Sequence, residues 1–290
     1  MKYLYFFVLL SFGLSSCVRN NPLPVWLEIN EWTLASNGAS GENDPGALTH
    51  NFSDVWIYID GKIIGVFEVP CKIPVLASGN CNISLYPTIR NNGQAATKKA
   101  YPFMEPHEIK MDLVEGETYT FNPVTRYKAG TKFWIEDFEG ASVLLEKEAS
   151  VSNTNLQLTQ ESNSTEWPWG KYGHLSLTSA DSMWVGLTPA LSLPKGGAEV
   201  YLELDYKNTS SILTGLIEMQ LDGTTVQHGG YTAALQGADA KWKKIYIDLK
   251  TVVSNTPNGY KYRQYLRMLL DPGLSSSDVY IDNIKVVHAL

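Results

Sequence analysis

Sustained helical periodicity is missing from this chain of 290 residues. No stretch keeps apolar residues at i, i+3, i+4 and i+7 over three turns, which excludes a helical bundle. Positive charge is also short: 23 Lys and Arg stand against 30 Asp and Glu, a formal net charge of -7. Nucleic acid and anionic lipid surfaces reward the opposite balance, so neither is an expected partner. Motifs of covalent and metal catalysis are absent. There is no Gly-x-Ser-x-Gly elbow, no His-Glu-x-x-His zinc helix and no phosphate-cradling glycine loop. Gln227-His228-Gly229-Gly230 has the composition of an esterase oxyanion loop, but without a nucleophile elbow it reads as a hairpin turn. No catalytic residue and no catalytic cofactor is expected. Cysteine is scarce, with three in the chain. The one long apolar run, Tyr3 to Leu14, has about a dozen residues where a membrane-spanning helix needs roughly 20.

That run follows Met1-Lys2 and precedes the small residues Ser15-Ser16, so residues 1–16 read as a secretory signal peptide. Leu14-Ser15-Ser16-Cys17 resembles the bacterial lipobox. The resemblance implies cleavage before Cys17, acylation of its thiol with palmitate-type chains, and a membrane partner reached through the lipid. Each buried methylene contributes about 0.8 kcal/mol, so several acyl chains would hold the protein on a membrane essentially permanently. The alternative is an ordinary signal peptide with a chance cysteine. Residues 17–24 then form a polar, proline-stiffened lipidated tether. In style the chain resembles lipoproteins of the Bacteroidota, which implies the cell envelope and a lipid anchor in the outer membrane. Surface-directed members often carry acidic residues just after the cysteine, whereas Arg19 stands here, so the periplasmic and surface faces both stay open.

With Cys17 consumed by lipid, Cys71 and Cys81 remain as an even pair in an oxidising compartment. A disulfide closing a loop of about ten residues is expected, worth roughly 2–3 kcal/mol. The rival is two reduced cysteines packed as small apolar residues.

Composition is that of ordinary globular material, 44% hydrophobic, 11% aromatic and 18% charged, and about 270 residues after cleavage suffice for two domains. Period-two alternation recurs throughout, so the expected class is all-β. Val25 to Leu34 reads as a first strand, and the Gly-, Ser- and Asn-rich stretch 35–51 as a long mobile loop. Val55 to Phe67 is the clearest hairpin, turned at Asp60-Gly61. Ile73–Leu76 and Asn82–Tyr86 read as a second strand pair around Ala77 to Asn80, and Lys128 to Thr131 as a linker. Tyr58-x-Asp60-Gly61-Lys62-x-x-Gly65, with Pro70 and Gly79 beyond it, resembles PEGA-like and related Ig-type sandwich modules. That resemblance implies an Ig-like β-sandwich over residues 25–128, of a kind that serves as spacer or adhesive scaffold.

The remainder, residues 131–290, opens with Phe133-Trp134-Ile135-Glu136-Asp137-Phe138-Glu139 and closes with Val279-Tyr280-Ile281-Asp282-Asn283-Ile284. These ends resemble jelly-roll carbohydrate-binding modules and galactose-binding-like domains. The resemblance implies a jelly-roll β-sandwich of about eight strands with first and last strands adjacent. It also implies a structural calcium ion near Glu139 and Asp282, with further oxygen ligands from the backbone. Trp167-Pro168-Trp169-Gly170-Lys171-Tyr172 gathers three rings with two loop-forming residues. Trp167, Trp169 and Tyr172 are candidates for a sugar-binding platform, with plugging of the sandwich end as the alternative. The expected function is a membrane-anchored, non-catalytic glycan-binding or adhesive module. An accessory subunit of an outer-membrane protein complex is the second expectation, and a glycoside-acting enzyme using carboxylates such as Glu136, Asp137 and Glu139 the third.

Overall fold

In a computed structural model, residues 21–160 and 166–289 of the chain are described. Residues 1–16, expected to be a signal peptide, and Cys17 lie outside them. The protein is all-β, an Ig-like sandwich followed by a jelly-roll sandwich. The first comprises β1 (Val25–Ile29), β2 (Thr33–Leu34), β3 (Asp54–Ile59), β4 (Lys62–Glu68) and β5 (Cys71–Val75). It continues with β6 (Gly79–Arg90), β7 (Lys98–Ala100), β8 (His107–Leu113), β9 (Thr118–Phe121) and β10 (Val124–Thr125). One sheet runs β5-β1-β9, the facing one β4-β3-β6-β7 with β8 also on β6, and β2 and β10 pair beside them. Alternation sets the core: Val25, Leu27 and Ile29 of β1 face Val55 and Ile57 of β3 and Ile83 and Leu85 of β6. The β3–β4 hairpin forms as expected. Asp60 (φ 49°) and Gly61 (φ 74°) supply the left-handed pair that a tight turn between twisted strands requires. The end of the stretch expected to be a tether is docked, since Gly116 N donates to Pro24 O at 3.2 Å and Trp26 N to Glu117 O at 2.9 Å.

The expected second hairpin and its disulfide do not form. β5 pairs with β1 and β6 with β3 and β8, so Cys71 lies opposite Ile29 and Cys81 opposite Met111. The chain crosses between sheets instead of returning on itself, and the two cysteines are not cross-strand neighbours. Both are free thiols. Cys81 is buried, its thiol 3.7 Å from Ser78 O, and burial pushes it up in pKa, as expected of a small core residue.

The jelly roll comprises β11 (Thr131–Glu136), β12 (Glu146–Lys147), β13 (Gln157–Thr159), β14 (Tyr172–Thr178), β15 (Met183–Leu187) and β16 (Val200–Asn208). β17 (Ile212–Gln220), β18 (Thr225–Ala233), β19 (Lys243–Asp248), a short helix α1 (Lys250–Ser254), β20 (Gly259–Leu269) and β21 (Ser276–Ala289) complete it. A six-stranded sheet runs β13-β14-β21-β16-β19 with β11 also on β21, and a five-stranded sheet runs β12-β15-β20-β17-β18. First and last strands are neighbours, as the resemblance implied. Gln227 to Gly230 is not a turn; it lies within β18, opposite a register shift between Thr214 and Leu216.

Leu202 and Leu204 of β16, Ile245 and Ile247 of β19, and Val279 and Ile281 of β21 fill the space between the two sheets. A β-bulge then changes the phase of β21. Register shifts between Glu203 and Asp205, Asn283 adopts φ 45°, and Ile284 and Val286 take the inward positions. The outward positions Glu203, Asp205, Lys244, Tyr246 and Lys285 are nonetheless buried, because the first sandwich covers this half of the sheet.

The cover is made by the 35–51 stretch, which therefore differs from the mobile loop expected of it. Lys285 Nζ donates to Pro45 O at 2.5 Å and to Ala47 O at 2.6 Å, and Asn51 N donates to the Tyr246 hydroxyl at 3.0 Å. Across the same junction Tyr101 and Tyr127 donate to Glu203 at 2.6 and 2.8 Å, and Lys244 sits 3.3 Å from Glu203 and 3.4 Å from Asp205. Burial alone would push Glu203 up in pKa; Lys244, Lys285 and the two tyrosine hydroxyls together hold it below its usual value. The chain after β6 reaches the edge of β19, where Asn92 N donates to Tyr246 O at 2.9 Å and Asp248 N to Asn92 Oδ1 at 2.8 Å. Tyr201, Tyr246 and Val287 accordingly belong to the first sandwich's hydrophobic cluster.

Candidate functional site: a ring-lined cleft at the junction

Beyond the covered half, the outer face of the six-stranded sheet carries rings. Trp167 and Trp242 stack with centroids 4.0 Å apart and planes at 19°. Tyr172 meets Trp242 edge-on at 5.4 Å and Tyr280 at 5.8 Å, and His174 stacks on Tyr280 at 4.5 Å. Outward positions of β14 and β21 supply Tyr172, His174 and Tyr280, and Trp242 immediately precedes β19. Lys207 lies 5.4 Å from the Tyr280 ring and 2.9 Å from Glu166. Where the rings meet the first sandwich there is a cleft of about 370 Å³ bordered by Thr49, His50, Trp167, Trp169, Trp242 and Lys243.

The three rings expected to form the platform divide between two roles. Trp169 is 44% exposed and borders the cleft, whereas Trp167 is 8% and Tyr172 2% exposed. Tyr172 does not border the cleft and is no ligand-facing ring, and Trp167 reaches the cleft wall with only a small part of its surface; both chiefly support Trp242. Trp167 is further fixed by its indole N–H, which donates to Asp282 Oδ2 at 2.7 Å. Trp242 and His50 escaped the sequence reading. Trp242 sits in Lys241-Trp242-Lys243-Lys244, a ring in a polar run just before a strand. That signal was available. His50 belongs to the stretch taken as a loop.

Glu139 and Asp282 do not fit a calcium ion. Glu139 accepts the backbone N–H of Lys171, in an approach so close that a Cβ at Gly170 (φ 104°) would fall 2.2 Å from its Oε1. Asp282 accepts Trp167 Nε1 and, at 2.6 Å, Asn283 N. Among the described residues no group of three or more His, Cys, Asp or Glu side chains is placed to hold a metal ion. A hard cation needs six to eight oxygens, and three of the four oxygens of these two carboxylates already accept N–H donors. Glu136 is likewise engaged, accepting Phe138 N at 2.8 Å and Leu144 N.

Burial pushes the Asp282 carboxyl up to about 8, against the lowering effect of its two donors. The native state therefore keeps a proton that the unfolded chain releases near pH 4, and this contribution to stability is lost as pH rises toward 8. Lys285, lowered to about 8 by burial, acts at higher pH and in the opposite sense. Asp282→Asn keeps an acceptor for the indole and removes the titration. Urea midpoints between about pH 5 and pH 8 should fall for the native protein and be flatter for the variant. Equal slopes would contradict the assignment.

A second cleft, of about 420 Å³, lies on the outer face of the five-stranded sheet between Met183, Val185, Ile217, Gln227, Tyr265 and Arg267. The Tyr265 hydroxyl there is buried without a hydrogen-bond partner.

No family model and no curated protein matches the chain. Solved structures do. A family 11 carbohydrate-binding module from Clostridium thermocellum, in complex with a β-1,3-1,4-mixed-linked tetrasaccharide, is 17% identical over 56% of this chain and 98% of its own, with a TM-score of 0.37. The K3 cleaved adhesin domain of Lys-gingipain from Porphyromonas gingivalis W83 is 14% identical over 55% and 99%, with a TM-score of 0.35. The enzymatically active domain of a bacteriophage CBA120 tailspike protein is 9% identical over 55% of this chain and 19% of its own, also with a TM-score of 0.35. The sandwich architecture itself rests on the strand ladders described above.

Proposed function

We propose that the protein is a non-catalytic glycan-binding lipoprotein whose ligand lies in the cleft at the domain junction. The observation that carries this reading is Trp169, an exposed indole beside a preformed Trp167–Trp242 stack, in a cleft that also offers ammonium and imidazole groups. Sugars present C–H faces that pack on aromatic rings, and their hydroxyls need nearby polar partners. Pro168 between the two indoles restricts the backbone, so ordering them on binding costs less entropy. The acidic groups at the cleft are committed: Glu166 to Lys207 at 2.9 Å, and Asp205 to Lys244 at 3.4 Å. A pair of carboxylates free to cleave a glycosidic bond is what an enzyme would need instead.

A glycan array probed with the soluble chain from Asn20 onward tests the reading, with binding that Trp169→Ala removes as the supporting result. A second reading places the ligand in the other cleft, favoured by the unpartnered Tyr265 hydroxyl. Glycan binding lost in Tyr265→Ala and retained in Trp169→Ala would select it.

The anchor is the other half of the proposal. No helix among the described residues is long and apolar enough to cross a membrane, and the reading assigns membrane attachment to acylated Cys17, with the outer membrane as the place. Cys17→Ser should release the chain from membranes or leave its precursor uncleaved. Normal processing and retention in that variant would defeat the assignment.

A further inference from the structure

The cleft beside Trp169 continues past the rings. Lys243 also borders a recess of about 310 Å³ with Asn51, Arg90 and Tyr206, and another of about 640 Å³ with Asn92, Gln94 and Gln236. Each of the three has the volume of a pocket for a drug-sized ligand, and they adjoin along the edge strand β19. A single sugar would leave most of this groove empty.

The polar groups along it differ in what they have left to offer. Glu166 and Asp205 are paired with lysines, and Lys244 is paired in turn with Glu203 and Asp205. Lys243 is exposed and forms no ion pair among the described residues. Arg90 is paired twice, with Glu68 at 3.1 Å through a terminal nitrogen and with the buried Asp54 at 3.9 Å through Nε. The charge left without an ion pair among these groups is the Lys243 ammonium, which borders all three recesses, with rings at one end of the groove and amides at the other.

We propose that the groove takes an internal stretch of an acidic oligosaccharide, with one sugar face on Trp169 and a carboxylate on Lys243. This rests on the glycan-binding reading above. The net charge of -7 opposes a densely charged polymer, so carboxylates spaced by neutral sugars fit better than a continuous polyanion.

The test titrates the soluble chain with neutral oligosaccharides of two to six sugars and with matched chains carrying one uronic acid. Affinity should grow with length, acid-bearing chains should bind about tenfold tighter than neutral ones, and Lys243→Gln should abolish that preference whatever its affinity for neutral chains. Equal affinity for neutral and acidic chains, or a preference that survives Lys243→Gln, would overturn the inference and leave the glycan reading standing. Binding that does not grow beyond one or two sugars would also overturn it. Failure of every glycan to bind would overturn both.

Discussion

Lys244→Met is expected to cost about 3–5 kcal/mol of folding stability, the penalty of removing one partner from a buried charge cluster. The ammonium lies 3.3 Å from Glu203 and 3.4 Å from Asp205 and donates to Thr49 Oγ1 at 2.8 Å, with its side chain almost wholly enclosed. Methionine fills much of the same volume, so the loss measures two carboxylates left in a low-dielectric junction with hydroxyl donors and Lys285 but without their closest ammonium. Lys72→Met provides the contrast. Its pair with Glu28 spans 4.0 Å between half-exposed side chains, and such pairs are worth about 0–1 kcal/mol. Urea unfolding of both variants separates the cases. A loss for Lys244→Met no larger than for Lys72→Met would mean that the junction is not held by this cluster.

Trp167→Ala should cost about 3–5 kcal/mol as well, by a different route. It removes the ring that stacks on Trp242 and strips the buried Asp282 of its indole donor at 2.7 Å. Trp169→Ala, two residues along the chain, removes an exposed ring and should change stability by no more than about 0.5 kcal/mol. Thermal or urea unfolding of the two variants therefore distinguishes scaffold from contact surface. Similar, large losses in both would return the whole cluster to the core.

The two tryptophans mark how far the sequence could be read. The ring-rich loop was legible, because Pro168 and Gly170 interrupt any strand pattern. Which ring faces out was not, since it depends on Trp242 and Asp282 lying close to Trp167 across long sequence separations. The same limit governs the charged strand residues. In Leu202-Glu203-Leu204-Asp205 and Ile284-Lys285-Val286 the alternation correctly assigns leucine, isoleucine and valine to the jelly-roll interior. It equally suggests that Glu203, Asp205 and Lys285 meet water. They meet the first sandwich instead, because period two reports which face a side chain takes and nothing about what later covers that face. The Asp60-Gly61 hairpin was readable because its geometry is local. The β5 and β6 partners were not, because two neighbouring apolar runs joined by a glycine turn are compatible with a hairpin and with a crossover between sheets.

The central claim, a glycan held at the domain junction, is tested most directly by calorimetric titration of the native chain, Trp169→Ala and Tyr265→Ala with the strongest glycan from the array. The native chain should bind saturably, Trp169→Ala should lose at least about tenfold, or 1.4 kcal/mol, and Tyr265→Ala should keep its affinity. Unaltered affinity in a folded Trp169→Ala variant would contradict the claim.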